Sequence, residues 1–201
     1  MIITNLQKLI TSKTRRQLIY YLLQNYNQAK TIRTISRESG VNINSTVKEL
    51  NELANISLVN FKKQGTYKYA KINNEHPFFQ PLYSCFFKSY GLGKLLINNF
   101  SSNKNIKSII VTKFYLEKLP KTKYDYDILF ITNEKPNLEK IMNKVKEIEL
   151  KLNESLVFSI LTIREFKQRL QIMDNFVWSI FNKRFVFVLG SLYDLLSTET
   201  S

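Results

Sequence analysis

The stretch Ala29–Ile72 decides the fold of the first part of this chain, and it reads AKTIRTISRESGVNINSTVKELNELANISLVNFKKQGTYKYAKI. Apolar residues at Ile32 and Ile35 have the spacing of one buried helical face, which predicts a short helix from about Lys30. Gly40 can take the left-handed backbone that ends a helix. The stretch therefore predicts a short helix and then a tight turn.

A second helix is expected directly after this turn. Val41 is the apolar residue expected to plug the turn. Either Asn42 or Asn44 is expected to cap the new helix, because asparagine side chains accept backbone N–H bonds at helix starts. The residues predicted to face the core are Val47, Leu50 and Leu53.

A hairpin is predicted next, and a longer helix is predicted upstream. Leu58–Phe61 and Tyr67–Ile72 have the composition of two strands, and Lys62–Thr66 is a glycine-containing turn between them. Upstream, leucines and isoleucines at three- to four-residue spacing predict a helix over Leu6–Asn25. Together these elements predict a winged helix-turn-helix, although an ordinary small helical domain with a basic surface is the alternative.

The winged-helix interpretation implies binding to double-stranded DNA. In such folds the N-terminal part of the second helix enters the major groove, and the basic hairpin meets phosphates or an adjacent minor groove. Short polar side chains and a lysine occupy the predicted outer face of that helix. The predicted DNA-contacting residues are Thr31, Arg33, Asn42, Asn44, Ser45, Thr46, Lys48, Lys62, Lys63, Thr66 and Lys68.

The charge distribution supports this interpretation. Residues 1–75 hold 12 Lys and Arg against 4 Glu and no Asp, a net charge of +8, out of +14 for the whole chain. An AT-rich gene would also favour lysine, and the chain has 23 Lys to 7 Arg. Such a bias does not explain the scarcity of acids before residue 76, so the first third has the electrostatic character of a nucleic-acid-binding region.

Several classes of protein are excluded by composition. The single cysteine, Cys85, excludes an intrachain disulfide and a cysteine-rich zinc site, and its aromatic neighbours predict a buried thiol. His76 is the only histidine, which argues against a catalytic triad or a histidine zinc site. No apolar run approaches the roughly 20 residues that span a bilayer. With no membrane segment and no signal sequence, a cytoplasmic location is expected.

The chain length suits two domains with an aromatic connector, whose helix, Leu82–Phe100, is expected to be interrupted near Gly91. This connector is a candidate for homodimer contacts, because winged helices usually bind two-fold sites as dimers, and it is equally a candidate for plain core. The predicted ranges are 1–75 for the winged helix, 76–105 for the connector, 106–190 for the second domain and 191–201 for a C-terminal tail.

The second domain alternates strands and helices, which predicts an α/β sandwich and an α+β fold for the whole chain. The predicted strands are Ile106–Val111, Asp127–Thr132, Leu156–Leu161 and Phe185–Leu189, and the predicted helices are Pro136–Leu152 and Ile163–Met173. Inward residues expected on the first of these helices are Leu138, Ile141, Val145, Ile148 and Leu152. The aromatic residues Phe176, Trp178 and Phe181 are expected to belong to the core.

An acidic pair precedes the second of these strands. Residues two apart on a strand point to the same side, so Asp125 and Asp127 can converge on one divalent metal while Tyr126 turns away. Two solvated loop acids are the common alternative for an isolated Asp-x-Asp. No cofactor is expected, although Mg²⁺ or a nucleotide is possible if the second domain retains binding.

Four motifs in this order carry a resemblance to a known family. They are His76-Pro77-Phe78-Phe79, Tyr90-Gly91-Leu92, Tyr124-Asp125-Tyr126-Asp127-Ile128-Leu129 and Leu161-Thr162-Ile163-Arg164-Glu165-Phe166. Over about residues 10–190 the chain resembles prokaryotic regulators that join an ArsR-like winged helix to a minimal nucleotidyltransferase domain of the polymerase-beta type. The resemblance implies DNA binding and a second domain derived from an enzyme.

The resemblance also implies that the enzyme site is degenerate. Active members carry a Gly-Ser pair and then an Arg on a turn about a dozen residues before the aspartates. Here Lys113 and Phe114 replace the pair, and Glu117 stands near the arginine position. The strand that brings a third carboxylate, here Val157–Ser159, has none. Two-metal phosphoryl transfer needs these groups.

The expected function is therefore a non-enzymatic DNA-binding transcriptional regulator. Its second domain would serve for dimerisation, for sensing an effector or for binding a protein partner. A nucleotide is one possible effector. The alternative is an active metal-dependent nucleotidyltransferase that modifies a protein or small molecule through Asp125 and Asp127.

Overall fold

The computed structural model describes residues 6–117, 119, 125–181 and 184–197, and it has a mixed α+β fold with small sheets. The chain forms two compact units, divided between Ser89 and Tyr90. In the described part of the chain no helix is both long and apolar enough to cross a membrane.

The described residues of the first unit form five helices. They are α1 (Leu6–Leu9), α2 (Lys13–Gln24), α3 (Ile32–Ser39), α4 (Ile43–Asn55) and α5 (Phe79–Ser89). The prediction of one continuous helix over Leu6–Asn25 is wrong, because the helix is interrupted between α1 and α2. Ser12 caps α2 there, its side chain accepting a hydrogen bond from the Arg15 N–H at 3.2 Å. Gly40 ends α3 in the left-handed conformation, at φ 70°, as predicted.

The first unit also has a three-stranded antiparallel sheet. Its strands are β1 (Lys30–Thr31), β2 (Val59–Gln64) and β3 (Tyr67–Ile72), in the order β1-β3-β2. The sequence did not predict β1, which is only two residues long. The turn of the hairpin is shorter than predicted, with Gly65 at φ 57°, so Lys62 and Lys63 lie on β2. The hairpin therefore presents these lysines on paired strands.

The core of the first unit joins α2, α3 and α4. Leu18, Ile35 and Leu50, one from each helix, are fully buried. A polar contact also links two of the helices, since the Tyr21 hydroxyl donates a hydrogen bond to Glu38 at 2.5 Å. The Lys30 ammonium lies 2.9 Å from the same carboxylate. Apolar packing thus joins the three helices, and this charged network ties α2 to α3.

The predicted connector over residues 76–105 does not stand apart, because its first helix belongs to the first unit. Phe79 and Phe86 on α5 are buried, and the Phe86 ring stacks on Tyr20 of α2 at 6.4 Å. Cys85 lies on another side of α5 and is exposed, so the prediction of a buried thiol is wrong. The aromatic residues of α5 share one face of the helix, on which Phe79 and Phe86 are buried and Tyr83 and Phe87 are half-buried.

The part of the second unit that the structure describes has six helices and four strands. The helices are α6 (Gly91–Phe100), α7 (Lys113–Leu116), α8 (Leu138–Leu152), α9 (Ile163–Gln171), α10 (Asn175–Phe181) and α11 (Leu192–Leu196). The strands are β4 (Ile106–Thr112), β5 (Ile128–Thr132), β6 (Phe158–Thr162) and β7 (Phe185–Leu189). The predicted tail, 191–201, therefore begins with a helix, and residues 198–201 lie outside the described part.

The four strands form one sheet in the order β6-β5-β4-β7. The β5 and β6 strands are parallel, and the other two pairings are antiparallel. Alternate residues of β5 enter different layers: Leu129 and Ile131 join the buried cluster with Phe166 of α9, whereas the Phe130 ring contacts Phe100 of α6 at 5.1 Å. Helices thus cover both faces of the sheet.

Two predicted core positions of the second unit are exposed instead. Leu138 begins α8 and is 53% exposed, because the helix starts there and its packed face comes from Ile141, Val145 and Ile148. Trp178 on α10 is 38% exposed, while its neighbour Val177 is buried.

Gly190 follows β7 and lies against the start of β4. Its φ is 69°, and a Cβ atom there would lie 2.6 Å from the Lys107 carbonyl oxygen and 2.7 Å from the Ser108 hydroxyl. The Ser108 hydroxyl donates a hydrogen bond to the Leu189 carbonyl at 2.8 Å. Glycine is therefore required by both the backbone conformation and the close approach.

Candidate functional site

The first candidate site is built around the start of α4. The Asn42 side-chain oxygen accepts a hydrogen bond from the Ser45 N–H at 2.9 Å, so Asn42 is the N-cap and Asn44 is not. This cap fixes the direction in which the first turns of α4 project. Asn44 is exposed and Ser45 is half-buried.

The prediction that Thr46 faces outward and Val47 inward is wrong. Thr46 is fully buried and Val47 is 39% exposed. The Thr46 hydroxyl donates to the Asn42 carbonyl at 2.9 Å, which satisfies its polar group inside the protein. Thr46 therefore shares the inward face with Leu50 and Leu53, and it is unavailable to a ligand.

A mixed apolar and polar stripe runs along the exposed side of α4. Its residues are Ile43, Asn44, Val47, Lys48, Asn51, Glu52 and Asn55. Ile43 is 41% exposed, and it lies one turn before Val47. Sequence reasoning missed Ile43, Val47 and Asn51 as surface residues. The helical spacing of Thr46, Leu50 and Leu53 contained the signal, but hydrophobicity alone favoured Val47 as the core residue.

The hairpin beside α4 concentrates positive charge. Lys63 and Lys68 lie directly opposite each other in the β2–β3 register, where like charges destabilise the pair. The Lys68 ammonium lies 3.6 Å from the centre of the Phe61 ring, a cation–π contact that holds its stem. Among the described residues no carboxylate forms an ion pair with either lysine or with Lys62.

The remaining predicted contacts are placed around α3 and the hairpin tip. Thr31 caps α3 by accepting from the Thr34 N–H at 3.2 Å, which occupies its hydroxyl oxygen. Arg33 and Thr66 are exposed. The pKa of Glu38 is held below its ordinary value first by the Tyr21 hydroxyl and then by Lys30. This carboxylate therefore belongs to the internal network of the unit.

The second candidate site is the turn between β4 and α7, where the resemblance places the lost Gly-Ser pair. Thr112 caps the four-residue helix α7: its hydroxyl oxygen accepts from the Phe114 N–H at 3.3 Å and also donates to the Tyr126 carbonyl. The Tyr126 ring packs edge-on against Phe176 at 5.3 Å. The turn is thus closed by hydrogen bonds and rings of the protein itself.

The cavity at this turn is very small. Its volume is about 20 Å³, and Lys113, Phe114 and Asp125 are among its lining residues. One water molecule needs a space of this size, and a nucleotide needs several hundred Å³. The cavity that the described residues form at this turn is thus of the size of one water molecule.

One member of the acidic pair, Asp127, takes part in the hydrogen bonding of the sheet. Asp127 is 1% exposed, and its carboxylate accepts a hydrogen bond from the Val157 N–H at 2.9 Å. The Asp127 N–H in turn donates to the Val157 carbonyl at 2.8 Å, so this aspartate joins β5 to the start of β6. The described residues contain no group of three or more acidic, histidine or cysteine side chains that could hold a metal ion. Tyr124, the first residue of the motif, lies outside the described part.

A larger groove lies at the opposite ends of the same strands, and sequence reasoning missed it. Its volume is about 710 Å³, and Lys107, Glu134, Arg164, Lys167 and Asp194 contribute charged side chains to its lining. The Lys167 ammonium donates to the Ser197 carbonyl at 3.1 Å. Because three cations face two carboxylates, the groove is polar without being strongly electropositive.

Comparison with known proteins finds no relative of this chain. The chain matches no protein-family model, and no curated protein or solved structure matches it either.

Proposed function

We propose that the first unit is a winged helix-turn-helix that binds double-stranded DNA and that the protein is a transcriptional regulator. In this proposal α4 enters the major groove and the β2–β3 hairpin is the wing. The observation that carries the proposal is the exposed stripe of α4 beside a hairpin whose lysines form no ion pair with any described residue. A regulator of this kind would act in the cytoplasm.

The chemistry of both surfaces suits DNA. Asparagine can bond adenine through two hydrogen bonds, and lysine can reach guanine or phosphate. Asn44 and Lys48 occupy the first two turns of α4, the part of a recognition helix that contacts base edges. Opposed lysines such as Lys63 and Lys68 lose their mutual repulsion when a phosphate lies between or beside them.

The test is binding of the full chain to fluorescent duplex DNA from upstream of its own gene and to a scrambled duplex, across a salt series. A regulator of that region should prefer the upstream duplex by at least about 10³-fold and lose affinity steeply with salt. The variant pair Asn44→Ala and Lys48→Ala, combined in one chain, should remove most of the preference.

The matched control combines Asn143→Ala and Lys146→Ala on the exposed side of α8, which removes the same two side-chain types from the second unit. This control should bind like the wild type. Absence of binding to any duplex at low salt would overturn the proposed function, and equal loss of affinity in both variants would remove α4 from it.

For the second unit we propose a nucleotidyltransferase-like fold without transferase activity, used for homodimer formation, for effector sensing or for binding a protein partner. The support is the strand order β6-β5-β4-β7, the closed turn at Thr112 and the structural hydrogen bond of Asp127. Incubation with labelled nucleoside triphosphates, Mg²⁺ and candidate acceptors should transfer no label. Label transfer that Asp125→Asn abolishes would establish the enzymatic alternative instead.

A further inference from the structure

The apolar residues on the exposed side of α4 are unexplained by packing. Ile43 is 41% exposed and Val47 is 39% exposed, although both are large β-branched residues on a helix with a well-formed buried face. That face is built from Thr46, Leu50 and Leu53. Single exposed apolar residues are common on proteins. Two of them one turn apart, on a stripe that is otherwise made of hydrogen-bonding side chains, form a defined surface.

The polar members of the stripe restrict what this surface can contact. Asn44 lies beside Ile43, and Asn51 lies one turn beyond Val47. Asparagine pairs with the N6 and N7 atoms of adenine in the major groove. Thymine, the partner of adenine, presents a C5-methyl group in the same groove, and apolar side chains contact that methyl. The stripe thus carries complementary chemistry for both bases of an A·T pair.

We infer that α4 recognises A·T pairs in its DNA site and that Ile43 and Val47 bind the methyl groups of thymines. This inference rests on the proposed function. Lys48 on the same face, with Lys62, Lys63 and Lys68 on the hairpin, supplies the positive charge that holds a duplex against this surface. The thymine methyls take the place of solvent around the two apolar side chains.

The experiment starts by selecting duplexes that bind the full chain from a random library. Each thymine of the selected half-site is then replaced, one at a time, by deoxyuridine, which pairs in the same way but lacks the methyl. At one or two thymines the replacement should weaken binding about three- to five-fold, the effect of exposing one methyl group. 5-Bromodeoxyuridine, whose bromine is close to a methyl in size, should restore affinity at the same positions.

Substitutions in α4 assign the effect to its side chains. Ile43→Ala or Val47→Ala should bind the thymine and deoxyuridine duplexes equally at one of those positions. The control is Ile56→Ala, which removes the same apolar surface from the C-terminal end of α4, where Ile56 is 55% exposed. This control should keep the full difference between thymine and deoxyuridine. Far-UV circular dichroism of each variant verifies that it is folded.

The outcomes separate this inference from the proposed function. Selection of a specific duplex whose thymines are all replaceable by deoxyuridine without loss would overturn the inference and leave DNA recognition intact. Selection of a G·C-only half-site would overturn it in the same way. A library that yields no enriched sequence would overturn the proposed function itself, and the inference with it.

Discussion

The start of α4 and the start of α7 are alike in local structure and opposite in accessibility. Each helix follows a capping residue whose side-chain oxygen accepts a backbone N–H, Asn42 from Ser45 and Thr112 from Phe114. Beyond its cap, α4 projects Asn44 and other side chains into solvent. Beyond its cap, α7 borders a cavity of about 20 Å³.

This difference shows that polar residues become a site only where their hydrogen-bonding groups are left available. At α4 the one hydroxyl that the protein uses internally, that of Thr46, faces the core. At α7 the neighbouring polar groups are used by the protein, as in the hydrogen bond between Asp127 and Val157. Similar polar residues therefore remain available for binding in one unit and form internal hydrogen bonds in the other.

The largest expected effect concerns the availability of positive charge on the hairpin. Replacing Lys62, Lys63 and Lys68 together by alanine should reduce DNA affinity by roughly 10²- to 10³-fold at 0.1 M salt on every sequence, and should reduce the log–log salt slope by about 2.7. Fluorescence anisotropy across a salt series measures both quantities.

The control for this prediction replaces three exposed lysines of α8, Lys140, Lys146 and Lys151, by alanine. It changes the net charge by the same amount in the second unit. A loss of affinity equal to that of the hairpin variant would mean that overall charge, and not the hairpin, attracts the DNA.

An intermediate effect, on stability, is expected when the hydrogen bond between Asp127 and Val157 is removed. Asp127→Ala removes a carboxylate that is 1% exposed and leaves the Val157 N–H without its acceptor in a part-buried hydrogen bond, which should lower the free energy of unfolding by about 1–3 kcal/mol. The single tryptophan, Trp178, lies on α10, so its fluorescence during urea unfolding reports on the second unit. Asp125→Ala should have a smaller effect, because Asp125 is only partly buried.

An increase in stability on replacing Asp125 or Asp127 would support the metal-site interpretation. Two carboxylates that converge on an absent cation repel each other, so removing either one would raise stability. Mg²⁺ would then also raise the unfolding temperature of the wild type, because a bound ion stabilises the folded state. We expect neither result.

The smallest expected effect concerns the network inside the first unit. Hydrogen bonds from Tyr21 and Lys30 favour the ionised form of Glu38 and hold its pKa below the ordinary value. Its contribution to stability is therefore present above the unfolded-state pKa of about 4.3 and is lost as the pH falls through the lower folded-state pKa. Glu38→Gln should destabilise the unit slightly at pH 7 and not at the acid end of a pH series followed by circular dichroism.

The reference for that series is Glu75→Gln, an exposed carboxylate for which no such network exists among the described residues. A difference between wild type and Glu38→Gln that is independent of pH would show that the charge of Glu38 plays no part.

Much of the fold followed from apolar spacing and from glycine. The strand Ile106–Val111 and the strand Phe185–Leu189 were predicted within one residue of their bounds, because long apolar runs define buried strands. Short elements escaped prediction. The two-residue β1 exists only because it pairs with β3, a contact that no local pattern contains.

The candidate sites were less predictable than the fold. Hydrophobicity placed Val47 in the core and Thr46 outside, but a threonine whose hydroxyl bonds the preceding turn can be buried cheaply. In the second unit the acidic pair was visible, but the bond between Asp127 and Val157 joins residues 30 positions apart. Side-chain partners that are distant in sequence decide which polar groups remain available.

Gly190 sets a limit on how the second unit can vary. The Cβ of any other residue there would lie 2.6 Å from the Lys107 carbonyl oxygen, so this carbonyl would have to move. The new residue would also have to adopt a backbone with φ of 69°. The pairing of β4 with β7 passes through a register shift close by, between Ile109 and Ile110. Substitution at this position therefore displaces the strand edge before it changes any surface, so a library of folded variants should tolerate change along α8 and retain glycine at position 190.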